Sequence, residues 1–255
     1  RISEDLTRSF GKGFGRSNVF YMRKLYLCYQ NSGTLSHKLS WSHYYEILKA
    51  DDPLEISFYT KECEKAGWSV RELKRQMKSM LFHRLALSKD KEGVLALANQ
   101  GIEIQAAEDI IKDPYVLEFV GLPDRLLYNE SDLENGLMNN LSQFLLELGK
   151  GFAFVGHQYH LEVAGEDYYI DLLFYNIKLK CYVVIELKVG EFKPEYAGKL
   201  SFYLTAIDEQ VKEKNDNPTI GLLLCRNKNN VIAEYTLRDM NKPMGVSEYR
   251  IKDYL

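Results

Sequence analysis

Tyr168-Tyr169-Ile170-Asp171-Leu172-Leu173-Phe174 and Tyr182-Val183-Val184-Ile185-Glu186-Leu187-Lys188 decide how this chain folds and what it can do. Both stretches read as strands, apolar and rich in aromatic or β-branched residues, with Asn176–Lys180 as the turn between them. Each also carries charge where a strand core should carry none. Glu186 and Lys188 stand two apart, so the strand period puts them on one face. Burying a carboxylate and an ammonium in a sheet costs several kcal/mol each unless they are paired or metal-bound. If the turn is the four residues Ile177–Lys180, Asn176 pairs with Cys181, and counting outward sets Asp171 opposite Glu186. Cross-strand partners have Cβ atoms about 4.5–5.5 Å apart. Two carboxylates that close repel unless a cation lies between them, and a hard divalent ion such as magnesium suits oxygen ligands. Lys188 then stands alongside as a point charge, placed to orient an attacking water or to steady negative charge developing on a phosphate. A purely structural Asp–Lys or Glu–Lys pair accounts for one carboxylate and leaves the second facing the first.

The elements around this pair complete an α/β pattern. Ser131-Asp132-Leu133-Glu134 opens an amphipathic helix through Leu148, with Leu133, Leu137, Leu141, Phe144, Leu145 and Leu148 on its apolar face. Gly149-Lys150-Gly151 ends it. The strand Phe152–Val163 precedes the two central ones. Helix Glu195–Val211, the apolar strand Thr219–Cys225, helix Val231–Met240 and a strand near Val246–Ile251 follow. Residues 114–255 therefore read as one α/β domain with a mixed sheet, its entry punctuated by Pro114, Gly121 and Pro123.

The first 88 residues read differently, as a helical domain. Residues 3–10 are helical. Gly11-Lys12-Gly13-Phe14-Gly15 is a flexible turn, since no strand precedes it and no GK[ST] follows as a phosphate loop requires. Ser17 or Asn18 caps a helix over Val19–Tyr29. Ser40-Trp41-Ser42 opens another over His43–Lys49, and Leu54–Ala66 makes a third, stopped by Gly67. Ser69 caps a helix from Val70 to about Leu85. On it Arg71, Lys74, Arg75 and Lys78 stack on one face, with Leu73, Met77, Met80 and Leu81 on the opposite one. A cationic front on an apolar back is how a helix-turn-helix meets nucleic acid. The plainer alternative is a solvated face, although Glu72 alone is acidic between Arg71 and Arg84. Residues 89–113 read as a connecting segment with one or two short helices.

Charge divides along the same line. The 255-residue chain has a net charge of −3. Residues 1–88 hold 15 Lys and Arg against 9 Asp and Glu, whereas residues 89–255 hold 18 against 27. A basic half beside an acidic half suits a polyanion-binding module next to a catalytic one. Cys28, Cys63, Cys181 and Cys225 are widely spaced, which argues against zinc sites and disulfide frameworks and fits a reducing cytoplasm. No apolar run approaches the ~18 residues that span a bilayer, so no membrane segment is expected. No signal peptide is visible, and the start at Arg1 rather than Met leaves room for preceding residues.

Asp171, fourteen intervening residues and then Glu186-Leu187-Lys188 resemble the D…(D/E)xK signature of the PD-(D/E)xK nucleases. The element order is similar to their restriction-endonuclease-like core. FGKGFGRSNVFYMRKLY, LSWSHYYEIL, GWSVRELKRQM, YYIDLLFYN, VIELKVGEFKPEYAGKLSFYL and GLLLCRNKN together resemble the bacterial YhcG-like (DUF1016) family within that superfamily. The resemblance covers nearly the whole chain. It implies a helix-turn-helix-like N-terminal domain, a nuclease domain, DNA as substrate and Mg²⁺, or Mn²⁺, as cofactor. Relatives of this fold often dimerise to cut both strands, so a homodimer is also implied.

The same resemblance implies further site residues. Glu134 matches an acid that completes the metal shell, though a helix-first-turn acid favoured by the dipole is an equal reading. Gln158 is placed to reach substrate or metal-bound water, beside the plainer reading of a strand Gln satisfied by backbone. Lys199 and Tyr203 lie one turn apart where some relatives carry Gln and Tyr, and His157 replaces a more usual Arg. His157 and His160 are three apart on a strand and face opposite sides, which argues against a two-His metal site. The leading expectation is a nuclease in which Asp171, Glu186 and Glu134 hold the metal, Lys188 assists catalysis and the face of Arg71, Lys74, Arg75 and Lys78 holds DNA. A nucleic-acid-binding protein with an idle or partner-dependent nuclease fold stands beside it, and a protein-interaction module is third.

Overall fold

A computed structural model describes residues 2–29, 35–87, 89–122 and 128–251. Arg1, Ser88 at the expected domain boundary and Pro123 lie outside the described residues. The chain divides into two compact units, residues 1–103 and 104–255.

The first unit is helical: α1 (Ile2–Phe10), α2 (Arg16–Cys28), α3 (Trp41–Ile47), α4 (Pro53–Ala66), α5 (Val70–Lys78), α6 (Leu81–Ala86) and α7 (Lys91–Gln100). Its core gathers Ile47, Phe58, Tyr59, Leu73, Phe82, Leu97 and Ala98, so α7, within the stretch read as connecting, packs into this unit. Local chemistry sets most helix ends. Asp52 caps α4 by accepting the Leu54 N–H, and Gly67 closes it in the left-handed region. Helix α2 departs from expectation: it begins at Arg16 without a side-chain cap, and Asn18 donates to the Gly13 carbonyl.

The helix expected over residues 70–85 is two helices. The chain breaks at Ser79 and Met80, with Met80 at φ 53° and 42% exposed instead of anchoring an apolar face. Buried Arg84 explains the break, since its Nε donates to the Ser79 carbonyl at 2.9 Å and its Nη2 to the Ser79 hydroxyl at 3.2 Å. A guanidinium that caps backbone from the next helix satisfies the groups a continuous helix would have bonded internally.

The second unit is a three-layer α/β arrangement. Its elements are β1 (Tyr115–Val116), α8 (Glu130–Asn139), α9 (Leu141–Leu148), β2 (Phe152–Val163), β3 (Glu166–Asn176), β4 (Cys181–Glu191), α10 (Pro194–Gln210), β5 (Ile220–Asn227), α11 (Asn230–Leu237) and β6 (Met244–Arg250). The sheet order is β1-β6-β5-β4-β3-β2; β2, β3 and β4 form an antiparallel meander, and β4, β5, β6 and β1 run parallel. Strand β5 is buried from Ile220 to Cys225, as a central parallel strand covered on both faces must be. Leu172, Phe174, Val183, Ile185 and Leu187 pack toward α8 and α9, whereas Leu173, Val184 and Leu223 pack toward α10 and α11. Gly221 lets α10 come close, because a Cβ there would lie 2.9 Å from Leu200. Two expectations change. The helix over residues 131–148 breaks at Asn140, whose side-chain amide donates to the Gly136 carbonyl at 3.0 Å and so competes with the helix ladder. The two-residue β1, too short to leave a periodic signal, adds an outer strand.

Candidate active site

The β3–β4 ladder begins as the turn length requires, with Asn176 opposite Cys181, and continues to Leu172 opposite Ile185. There it stops. At the next step Asp171 and Glu186 stand opposite each other by count, and the ladder gives way to side-chain chemistry. Asp171 Oδ2 accepts the Leu187 N–H at 2.8 Å, so the carboxylate fills the place a β3 carbonyl would have taken. On the other flank, His157 pairs with Leu172 and Tyr159 with Ile170, which sets Gln158 opposite Asp171. Gln158 is in the left-handed region at φ 45°, a conformation a non-glycine residue rarely adopts. Gln158, Asp171 and Glu186 thus form one row across β2, β3 and β4 at the point where the sheet's regular pairing is interrupted.

Helices supply the rest of the cluster. Glu134, in the second turn of α8, accepts the Gln158 amide at 3.0 and 2.9 Å, and the same amide lies 3.5 Å from Asp171 Oδ1. Lys199 of α10 donates to Glu186 Oε2 at 3.0 Å and lies over the Tyr203 ring. Tyr203 is buried, and its hydroxyl donates to the Tyr169 carbonyl. Lys188 donates to Glu130 Oε2 at 2.7 Å and lies over the Tyr196 ring.

Glu130 was not singled out in the sequence. Its signal was available: Glu130 and Glu134 fall four apart on one helix, a repulsive spacing that a nearby cation relieves. His160 is bonded to Asp167 at 2.6 Å, away from this row. The nucleic-acid candidates lie in the other unit. Arg71, Lys74 and Lys78 are exposed on α5, whereas Arg75 is half-buried. Arg75 meets Glu72 at 3.4 Å, and Lys74 meets Glu46 of α3 at 3.2 Å.

The electrostatics of the row are strained. Glu186 is 1% exposed, and burial first, then the Asp171 carboxylate, pushes its carboxyl up to about 7 despite Lys199. Burial likewise raises Asp171, against the lowering pull of the Leu187 N–H and the two lysines. Glu134 is raised by burial, with the Gln158 bond opposing. The Glu186–Lys199 pair looks different from its two ends. Burial works against the lysine's charge, yet Glu186 outweighs it and holds Lys199 above its usual range. Glu186 remains disfavoured as an anion, because it alone bears the deeper burial and the Asp171 repulsion.

Four carboxylates (Glu130, Glu134, Asp171, Glu186) face two ammonium groups, an excess of two negative charges when all are ionised. Glu186 Oε1 is buried with no hydrogen-bond partner among the described residues. An all-oxygen donor set, an orphaned carboxylate oxygen and a twofold negative excess fit a hard divalent cation. Among the described residues, no group of three or more His, Cys, Asp or Glu side chains is gathered closely enough to hold an ion. Asp171 and Glu186 share the row, and both Glu134 oxygens accept the Gln158 amide.

A mixed sheet flanked by helices, with charge at the end of its central meander, is the restriction-endonuclease-like architecture of a PDDEXK-type nuclease. Residues 108–254 match the YhcG PDDEXK nuclease domain, and residues 1–84 match the DUF1016 N-terminal domain. The chain belongs to this family. It is 35% identical, over 284 aligned residues, to the Escherichia coli (strain K12) protein called "Putative nuclease YhcG", spanning 99% of this chain and 75% of that one. Solved structures give slighter likenesses. A repair endonuclease from Pyrococcus abyssi matches with TM-score 0.33 and 15% identity over 50% of this chain and 48% of that one. EndoMS in a complex with double-stranded DNA matches with TM-score 0.35 and 18% identity over 49% and 47%. The chain therefore spans about half the length of those structures, and likenesses so slight bear no weight. Among the described residues no helix is long and apolar enough to cross a membrane.

Proposed function

We propose that this protein is a Mg²⁺-dependent nuclease that hydrolyses phosphodiester bonds in DNA. The observation that carries the reading is the row of half-buried Asp171 and buried Glu186, both carboxyls pushed up by desolvation, with Glu186 Oε1 left unpartnered. Asp171 and Glu186 would hold the ion, with Glu134 as a third ligand if Gln158 releases it, and Mn²⁺ would serve in place of Mg²⁺. When bound, the ion supplies charge neutralisation at the phosphate and lowers the cost of forming a nucleophile from water.

The chain's own residues do the rest. Lys188 orients the attacking water or steadies phosphate charge, which requires its ammonium to leave or share Glu130. Lys199 offsets part of the cost of ionising Glu186, and the Tyr203 hydroxyl holds the Tyr169 carbonyl beside it. Arg71, Lys74, Arg75 and Lys78 would meet the DNA backbone, and pairing of two copies would allow both strands to be cut. Four cysteines without disulfides suit the reducing cytoplasm.

The test is cleavage of duplex, branched and single-stranded DNA with and without Mg²⁺ or Mn²⁺. The expected result is metal-dependent cutting abolished by Asp171→Ala, Glu186→Ala or Lys188→Ala with the fold intact. Cutting that survives all three changes would sink the proposal.

A further inference from the structure

The structure assigns a second job to Lys199: we infer that its ammonium is a built-in cation at Glu186, so that the carboxylate row takes one divalent ion per chain rather than two. This rests on the reading of Asp171 and Glu186 as metal-holding residues.

Most of the carboxylate oxygens in the row already have a donor. Glu186 Oε2 is already taken by Lys199 at 3.0 Å. Both oxygens of Glu134 are taken by the Gln158 amide at 3.0 and 2.9 Å. Asp171 Oδ2 is taken by the Leu187 N–H at 2.8 Å. Among Glu134, Asp171 and Glu186, that leaves Glu186 Oε1, buried without a partner among the described residues, and Asp171 Oδ1, which the Gln158 amide approaches at a long 3.5 Å; Glu130, at the far side of the cluster, is held by Lys188. Two carboxylate oxygens can share one dication. A second ion would have to share Glu186 Oε2 with an ammonium, and like charges within a few ångströms repel strongly where burial lowers the dielectric.

Charge count agrees, because the excess of two negative charges over Lys188 and Lys199 is what one dication neutralises. Lys199 is also held on purpose-built terms. Its side chain is half-exposed, at 47%, yet the ammonium turns from solvent to a carboxylate that is 2% exposed, and the Tyr203 ring lies 5.0 Å beneath it.

The test counts Mn²⁺ bound to the full chain by electron paramagnetic resonance titration of the free ion. Only sites that vanish when Asp171→Ala and Glu186→Ala are introduced together are counted. The expected result is one site in the unaltered protein, two in Lys199→Gln and one in Lys199→Arg, with circular dichroism confirming the fold. Two sites in the unaltered protein, or one site in Lys199→Gln, would overturn the inference and leave the metal-dependent reading standing. No site at all in the unaltered protein would sink both. The unaltered count decides by itself if Lys199→Gln does not fold.

Discussion

Helix α5 and strand β4 both carry conspicuous charge, and they resolve it in opposite ways. On α5 the four cations face a single acid within their own segment, Glu72, which meets Arg75, while Glu46, from α3, meets Lys74. On β4 the carboxylate looks pairable, with Lys188 two residues on, yet Lys188 is drawn to Glu130 and Glu186 is left with one oxygen unpartnered. Charge on an exposed helix finds counter-ions from any neighbour, at small cost, because water fills whatever is missing. Charge on a buried strand has only what the register delivers. Residual imbalance is therefore informative at β4 and much less so at α5.

The largest effect tests the β4 side. Asp171→Ala or Glu186→Ala should lower DNA cleavage by at least about 10²-fold, the scale on which removing one preorganised electrostatic group acts. Initial rates at saturating Mg²⁺, with circular dichroism as the fold control, check it. Loss of less than tenfold would put Glu186 in the same class as the α5 cations.

The next effect is on stability. The Glu186 carboxyl rises from its ordinary 4.5 to about 7 in the folded protein. The folded state then binds a proton that the unfolded state releases, so stability without divalent ions should be greatest below about pH 4.5 for this group and decline as pH rises to about 7. Glu186→Gln should remove that decline, and at pH 8 it should gain up to about 3 kcal/mol, less whatever the Lys199 contact contributes. Denaturant melts in chelator across that range measure it, and a flat profile in the unaltered protein would contradict the assigned burial. Excess Mg²⁺ should flatten the slope in the unaltered protein by binding the ionised form.

What could be read from sequence follows the same physical divide. The strand period and a four-residue turn placed Asp171 against Glu186, because a two-residue repeat and a short loop leave one register consistent with a buried face. Gln158 in that row could not be derived this way. Its position depends on the register shift between Phe154 and Gly156 and on a left-handed backbone that no residue type there announces. The broken helices failed for a related reason. Met80 fits the apolar period of one long helix, and only the distant pull of Arg84 on Ser79 shows why the chain turns. The Glu46–Lys74 and Glu130–Lys188 contacts leave no sequence signal, because each joins residues on different elements.

On the α5 side, effects should be smaller and dependent on salt. Arg71→Ala with Lys78→Ala should weaken DNA binding uniformly across sequences and lower the slope of log affinity against log salt by about 2 for duplex DNA. Fluorescence anisotropy over a range of salt concentrations reads the slope. An unchanged slope would make α5 an ordinary solvated face.

The smallest effect is the sharpest probe of the comparison. Glu46 is largely buried, and its two oxygens hold Lys49 at 2.6 Å and Lys74 at 3.2 Å. Glu46→Gln keeps the shape and removes the charge that restrains Lys74. If α5 meets a phosphate backbone, the variant should bind duplex DNA a few-fold more tightly at low salt, the gain fading as salt rises. Stability should fall by no more than about 1 kcal/mol, because both lysines remain about half-exposed. The corresponding change at the other site, Glu130→Gln, frees Lys188 from a carboxylate in the same way. It should alter cleavage while leaving DNA affinity within about twofold, since Lys188 is assigned to the reacting phosphate and not to the backbone at large. Opposite readouts from two equivalent charge removals would establish that the α5 cations hold the polyanion and the β4 cluster acts on it. Equal readouts would dissolve that division.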